Sequence, residues 1–380
     1  MSDFIQVAFD DITPKGTVNR FEMRQSYGQH SLAILDMIVP VAMLRTTSGA
    51  LYPEMTAVAL QWGRSATEQT LFFGYVNHCE VLTDDVGNPT VRYLILGTSL
   101  RMNNGEPRSW TRVTPSFVVA EIAKKYRLRA LLHRSTRTLP TFTITTETDF
   151  QALQRLTAES GFRLWVDGAT VLFVDPNVLL KSAANVFVPT YTSVTDFSIT
   201  SGTLVPRPGG VVSEKVVVGR SSATKGSFTV RSNTVLKTRT EDINGFRPPL
   251  TTVLPGEVTS YAEARDRLAT ANRLQNWLTA TVRLPGAPLL RPGKLISIGG
   301  PAVPVDHTGV WHVESARHVM NLSKVAKTAH STEVEISRNQ GTGVDFTSTT
   351  QLSGTPDVVG CIRRDGVFWE SQSLDIVHLN

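Results

Sequence analysis

Ser260-Tyr261-Ala262-Glu263 opens a stretch that continues through Leu284-Pro285-Gly286-Ala287-Pro288 and Arg291-Pro292-Gly293. Three short alternating segments follow: Leu295-Ile296-Ser297-Ile298, Gly309-Val310-Trp311-His312-Val313 and Thr332-Glu333-Val334-Glu335-Ile336. Ser260 with Glu263 three residues on is a capping box, in which each side chain satisfies a backbone N–H the other leaves open. Ala264, Leu268, Ala271 and Leu278 share one apolar stripe, and Glu263/Arg267 is an i,i+4 pair on the exposed side. The spacing predicts a helix over 260–279, followed by strands whose apolar residues recur at every second position.

Outward from there, residues 1–107 read as mostly β. In Thr56-Ala57-Val58-Ala59-Leu60-Gln61-Trp62, alternation puts Val58, Leu60 and Trp62 on one face. Leu71–Leu82 and Val91–Leu96 are two further predicted strands, joined by a turn region with Asp84, Asp85, Gly87, Asn88 and Pro89. The texture changes near Trp110. Thr114-Pro115 is an N-cap with proline at the first helical position, and Val119, Ile122, Ala123 and Tyr126 fall on one face. Glu121, Lys124 and Lys125 lie opposite. Thr148 with Gln151 is a second capping box, for a helix that stops at Gly161. Phe162–Val166 and Thr170–Val174 then flank Asp167-Gly168, a two-residue hairpin signal. The segment 108–180 is thus a small α/β module.

Ser201–Gly210, rich in proline and glycine, is the linker candidate. Strands resume at Glu214–Val218 and Phe228–Val230, and Arg247-Pro248-Pro249 interrupts before the capped helix. Beyond Arg338, residues 339–380 read as a flexible Gly/Thr/Ser-rich linker and a hairpin tail turning at Arg364-Asp365-Gly366. A faint internal repeat is visible. Pro53 precedes the strand ending at Trp62 as Pro292 precedes the strand ending near Ile298. Gly74-Tyr75-Val76 then matches Gly309-Val310-Trp311, each opening a long strand.

The 380 residues exceed one typical core, so several domains are expected. With 41% hydrophobic and 19% charged residues the chain is an ordered soluble one, slightly poor in charge. A net charge of +5 is too small to argue nucleic-acid binding by itself. Met1-Ser2-Asp3-Phe4 lacks the pattern of a signal peptide, and the apolar run Leu32–Leu44 is broken by Asp36 and Pro40, so no membrane insertion is expected. Cys79 and Cys361 are read as free thiols of a chain made in a reducing cytoplasm.

The ordered set of these motifs resembles the baseplate and tail-tip hub proteins of phages, the family that includes late control proteins and type VI secretion spikes. The resemblance rests on Trp110 and Pro115 at the start of the module and on Gly161, Asp167 and Gly168 at its second helix and hairpin. It rests also on Ser260, Glu263, Pro285, Gly286, Pro288, Pro292, Gly293, Gly309 and Trp311 in the last domain. It covers residues 1 to about 338; the glycine-valine repeats and β-helix of secretion spikes are absent. It implies an α+β, mainly β chain: two tube-type antiparallel β-barrel domains, 1–107 and 181–338, with the α/β module inserted between them. It implies a structural hub subunit forming a homotrimeric ring in the virion tail tip, assembled in the host cytoplasm, with no cofactor. A tail tube or distal tail protein would sit above, a tip, fibre or spike protein below, and DNA or the tape-measure protein would pass through the lumen.

The residues themselves offer little catalysis. His78-Cys79 lies in a strand, where neighbours point to opposite faces. His312, Glu314 and His318 share one strand face by even spacing, which suits an ion, a tube lining or, more plainly, a solvated polar face. Asp306-His307 lacks a nucleophile serine, Gly299-Gly300-Pro301 lacks a following helix, and Asp149 and Glu159 sit at opposite ends of one helix. Arg101–Arg137 carries nine Lys/Arg against Glu106 and Glu121, a contact for DNA phosphates or an acidic neighbour, or else a solvated rim. Two other functions remain open at this point: a tail-associated cell-wall hydrolase, and a carbohydrate-binding tip module using exposed aromatics such as Trp369.

Overall fold

The computed structural model describes residues 3–339, apart from 11, 15, 41–51, 66, 84–86, 88, 136–137, 176–187, 202–212, 221–226, 235–249, 323–328 and most of 254–276. Ser201 of the linker candidate still belongs to a strand, while the rest of it (202–210), the Arg247-Pro248-Pro249 interruption and the tail beyond Asn339 lie outside the described residues.

The first β unit contains β1 (Phe4–Phe9), β2 (Thr17–Ser26), β3 (Leu32–Ile38), β4 (Ala57–Gly63), β5 (Gln69–Thr83) and β6 (Pro89–Gly97). They hydrogen-bond in the order β1-β4-β5-β6-β3-β2. Val58, Leu60 and Trp62 of β4 are all buried, as their alternation predicts. β1 and β2 stand at opposite ends of this order, yet Phe9 and Phe21 enter one core. Phe9 lies 4.9 Å from Tyr93 of β6, and Phe21 lies 5.1 Å from Trp62 of β4, centroid to centroid. Such contacts skip strands, so the sheet curls around its core as a barrel does.

The module follows: β7 (Arg108–Val113), α1 (Pro115–Lys125), β8 (Arg129–Leu132), β9 (Leu139–Ile144), α2 (Asp149–Ser160), β10 (Arg163–Asp167) and β11 (Thr170–Val174). Its core joins Val119 and Ile122 of α1 to Leu153 and Leu156 of α2 and Val171 and Phe173 of β11. The caps are those the sequence predicts. Thr114 Oγ1 accepts from Phe117 N, Thr148 and Gln151 cap each other, and Gly161 ends α2 at φ 71°. The hairpin turn is displaced by one residue. Asp167 pairs with Thr170, so the loop is Gly168-Ala169, with Gly168 supplying the positive φ of 53°. Lys125 is also not the solvated residue expected of it. Its Nζ lies 2.8 Å from Asp149 Oδ2, a fully buried carboxylate that accepts from Tyr126 Oη at 2.7 Å.

The second β unit contains β12 (Thr190–Tyr191) and β13 (Asp196–Ser201). A small sheet of β14 (Ser213–Arg220), β15 (Ser227–Thr234) and β16 (Leu250–Val253) comes next in the chain. The unit is completed by β17 (Trp277–Pro285), β18 (Leu295–Ile298), β19 (Gly309–Asn321) and β20 (Ala329–Asn339). Tyr261, Ala264, Arg265 and Leu268 are helical, and Ala264 and Leu268 pack on Val217 and Val230 of the small sheet. Ser260 and Glu263 fall outside the described residues. The predicted helix cannot extend to 279, because Trp277 already begins β17. Leu278, assigned to the helical stripe by its spacing, is instead fully buried in the second core.

Written in chain order, the second unit has the order β12-β18-β19-β20-β17-β13, the same permutation as β1-β4-β5-β6-β3-β2. Only the first pairing changes sense, antiparallel in β1/β4 and parallel in β12/β18. The correspondence extends to single residues. β5 bulges between Val76 and His78, and β19 bulges between Val313 and Ser315. Aligning the bulges matches Val58 and Leu60 with Ile296 and Ile298, Ala33 with Ala280, Ile95 with Ile336 and Phe21 with Phe197. The faint repeat in the sequence is a repeat of fold, but the residues matched there are two places out of register: with the bulges aligned, Gly74 corresponds to Trp311, and Gly309 to Phe72. The halves are also sewn together, since Arg20–Ser26 of β2 pairs antiparallel with Ser315–Asn321 of β19.

Candidate functional site

A dense polar network lies where the two β units and the module meet, around the bulge in β19. A bulge adds one residue to a strand and so exchanges the faces of everything beyond it. Before the bulge, Trp311 and Val313 face the core; after it, Ala316, His318 and Met320 do. His312 and Glu314 therefore face the module while His318 faces the opposite side. The expectation of one shared, solvated face fails on both counts: His312 and His318 have no exposed surface, and Glu314 is largely buried. Among the described residues no three His, Cys, Asp or Glu side chains converge as metal ligands.

Glu314 holds this joint together. Arg163 of β10 donates to it through Nε and Nη2 at 2.9 and 3.1 Å, and Ser337 Oγ of β20 donates at 2.7 Å. His312 Nδ1 stands 3.6 Å from its Oε1, and Tyr27 Oη, from the β2–β3 turn, meets His312 Nε2 at 3.1 Å. The same turn gives Tyr27 N to the Glu314 carbonyl at 3.3 Å and Gly28 N to the Leu164 carbonyl at 2.8 Å. Burial alone would raise the Glu314 pKa; the neighbouring His312 and then the Arg163 guanidinium outweigh it and hold the carboxyl well below the usual range. Burial, with the Glu314 charge second, pushes the Tyr27 phenol well above 10. The result is a charge-assisted clamp between β19, the turn and the module.

Further bonds reinforce it. Arg291 Nη1 donates to Asp167 Oδ2 at 2.7 Å and its guanidinium lies 6.0 Å from the Trp165 ring. Trp165 Nε1 donates to Ser31 Oγ, and Gln154 Nε2 to the Gly28 carbonyl. Thr98 Oγ1 donates to the Gly168 carbonyl.

Several residues singled out in the sequence serve this joining. The Pro285 carbonyl accepts from Arg64 and the Pro288 carbonyl from Thr70, so the loop after β17 lies against the first unit. Gly286, at φ 35°, leaves room where a Cβ would stand 2.6 Å from His330 Nδ1. Pro292 and Gly293 form the turn into β18, and Gly309, at φ 107°, opens β19. Trp311 is fully buried, donates Nε1 to the His307 carbonyl at 2.9 Å and carries Arg338 over its ring. Trp110 and Pro115 belong to the module, the former 6.0 Å from Phe142, the latter at the first helical position. Tyr27 and Arg163 were not singled out in the sequence. The one signal for them was Glu314 itself, a carboxylate in a strand otherwise bound for the core.

No family model matches the sequence, and no curated protein matches it. Solved structures do match in shape. A tail protein from Neisseria meningitidis superposes with a TM-score of 0.62 at 13% identity, over 89% of this chain and 97% of its own. The 43 kDa tail protein of prophage MuSo2 from Shewanella oneidensis gives 0.61 at 13% identity, over 88% and 98%. This chain has the fold of phage tail proteins. A type VI secretion component from E. coli, described as structurally similar to the T4 tail proteins gp27 and gp5, matches at 0.51 with 12% identity, over 88% of this chain and 77% of its own. The tail-protein fold thus accounts for most of the chain.

Proposed function

We propose that this chain is a structural hub subunit of a phage or phage-like tail tip, working as a homotrimer. The observation that carries the reading is the duplication: one chain supplies two β units of identical strand order, so three chains supply six. Six like units suit a ring that continues a six-fold tail tube and encloses a channel for DNA or the tape-measure protein. The 1–107 and 181–338 segments are the tube-type domains, and the 108–180 module projects to meet a tube or distal protein above and a tip, fibre or spike protein below. The likeness to tail proteins over almost their full length supports this, as does the clamp that joins module and β units. The role is not catalytic: His312 and Glu314, the best candidates for chemistry, are occupied in joining the parts. Assembly in the host cytoplasm followed by residence in the virion completes the proposal.

The test is location. Antibody against this chain should label the distal tail end of particles seen by electron microscopy, with three copies per particle by quantitative mass spectrometry. Label along the tail, or peptidoglycan clearing by the purified chain, would refute it in favour of another tail role or of a hydrolase.

A further inference from the structure

The two β units share a strand order, but not the state of their edges. In the second unit, β19 runs past the end of β18, and the edge this leaves is filled by β2 of the first unit. In the first unit, β5 likewise runs past β4, whose pairing ends at Tyr75. Beyond the bulge, His78–Thr83 pairs with β6 on one side and, among the described residues, with no strand on the other. β13, the counterpart of β2, pairs with β17 and, among the described residues, with no strand on its other side. Among the described residues, one filled junction thus has two unfilled halves, a donor edge and an acceptor edge, toward opposite ends of the same sheet.

The side chains differ as these edges do. Phe21 and Met23 of β2 are fully buried, whereas their counterparts Phe197 and Ile199 of β13 are only half-buried. His318 of β19 is fully buried, whereas its counterpart Val81 is 51% exposed. A valine half in water on a bare strand edge favours strand addition unless something covers it.

We infer that β13 of one copy of this chain pairs antiparallel with the His78–Thr83 edge of the next, repeating between molecules the β2–β19 junction found within each. Transferring the internal register, Met23↔His318, Glu22↔Val319 and Phe21↔Met320, gives Ile199↔Val81, Ser198↔Leu82 and Phe197↔Thr83. The contact is head-to-tail, so every copy both gives and accepts a strand, and the chain of contacts ends only when a ring closes. This rests on the proposed ring and adds which strands close it and in what register.

The experiment uses the full chain carrying Cys79→Ser and Cys361→Ser, with Val81→Cys and Ile199→Cys added together or singly. Mild oxidation of the double variant should give disulfide-linked multimers up to the closed ring. The two single variants should link when mixed and not when oxidised alone. As a second measurement, Val81→Arg should weaken self-association about tenfold or more while leaving the circular dichroism spectrum unchanged. The pairing is overturned if the chain multimerises without the 81–199 link or with Val81→Arg having no effect. It is equally overturned if the chain stays monomeric at micromolar concentration. None of these results touches the tail-tip location, which labelling of particles decides separately.

Discussion

Met55 and Gly293 occupy the same place in two copies of one turn. Thr56 N donates to the Pro53 carbonyl and Lys294 N to the Arg291 carbonyl, at 3.2 and 3.3 Å. Met55 N then bonds to Val76 O, and Gly293 N to Val313 O, one residue before each bulge. Both positions have positive φ, 67° and 86°. The second copy uses Pro-Gly, the pair a type II turn prefers; the first places a β-carbon where it strains.

Met55→Gly should therefore stabilise the chain. A left-handed non-glycine residue costs about 1–2 kcal/mol, offset by about 0.5–1 kcal/mol of extra glycine entropy. Met55 is 55% exposed, so little burial is lost. A gain of about 0.5–1 kcal/mol is expected in urea unfolding, and Gly293→Ala should lose about 1 kcal/mol or more. The two substitutions should shift stability in opposite directions; destabilisation by Met55→Gly would show that its side chain holds something in place.

A second pair of equivalents has exchanged charge. Asp36 of β3 accepts two bonds from Arg92 of β6, at 2.7 and 3.0 Å. At the matching positions Arg283 of β17 donates to Glu333 of β20 at 2.9 Å. The place requires a pair across the strands, of either polarity. Asp36→Arg and Arg92→Asp should each cost about 1–2 kcal/mol, and the double exchange should recover at least half of the summed loss. Strict additivity in the double-mutant cycle would exclude the coupling.

Removing the charge at the joint should loosen the module more than the sheets. Glu314→Gln leaves Arg163 partly buried without its partner, at a cost of about 2–3 kcal/mol, below the range for fully buried pairs because Arg163 keeps some exposure. Hydrogen exchange should rise first at Gly28 and along β10, whose backbone bond ties the turn to the module. A uniform rise across the chain would mean that the joint has no local role.

Short-range signals were readable in the sequence because they act within a few residues. Thr114-Pro115, Thr148 with Gln151, Gly161 and the Val58-Leu60-Trp62 face all concern contacts of the backbone with its near neighbours. The helix over 260–279 failed at its C-terminal end because Leu278 fits a helical stripe and a buried strand equally well, and tertiary burial decides between them. His312, Glu314 and His318 failed because one inserted residue reverses strand parity, and no local pattern announces a bulge. The clamp was illegible for a further reason: its members are 285 residues apart in the case of Tyr27 and His312, so only the fold brings them together.

Acid should weaken the folded chain well before carboxylates titrate. His318 and His330 lie 6.0 Å apart between the two β units, His318 bonded to the Leu290 carbonyl at 2.8 Å and to Thr332 at 3.1 Å. Asp3 Oδ1 is 3.8 Å from His330 Nδ1, and the Arg64 guanidinium approaches from the same side. Burial first, then the charge of His330, holds His318 to about 4 against the Leu290 carbonyl; burial and then Arg64 hold His330 to about 4. In the unfolded chain both return to about 6.5, so between 6.5 and 4 the unfolded state binds protons that the folded state refuses. Stability is then full above pH 6.5 and falls as pH drops toward 4, by at most about 1.4 kcal/mol per pH unit for each ring. Glu314 has the opposite kind of shift: its contribution is present above the unfolded carboxylate value of 4.5 and is lost only as pH falls below it, which places its effect under that of the histidines. Melting followed by circular dichroism should show Tm declining from pH 6.5 downward, and His330→Gln should make that decline shallower. A Tm that stays level until pH 4.5 would mean that the two rings find partners for their protons in the folded chain.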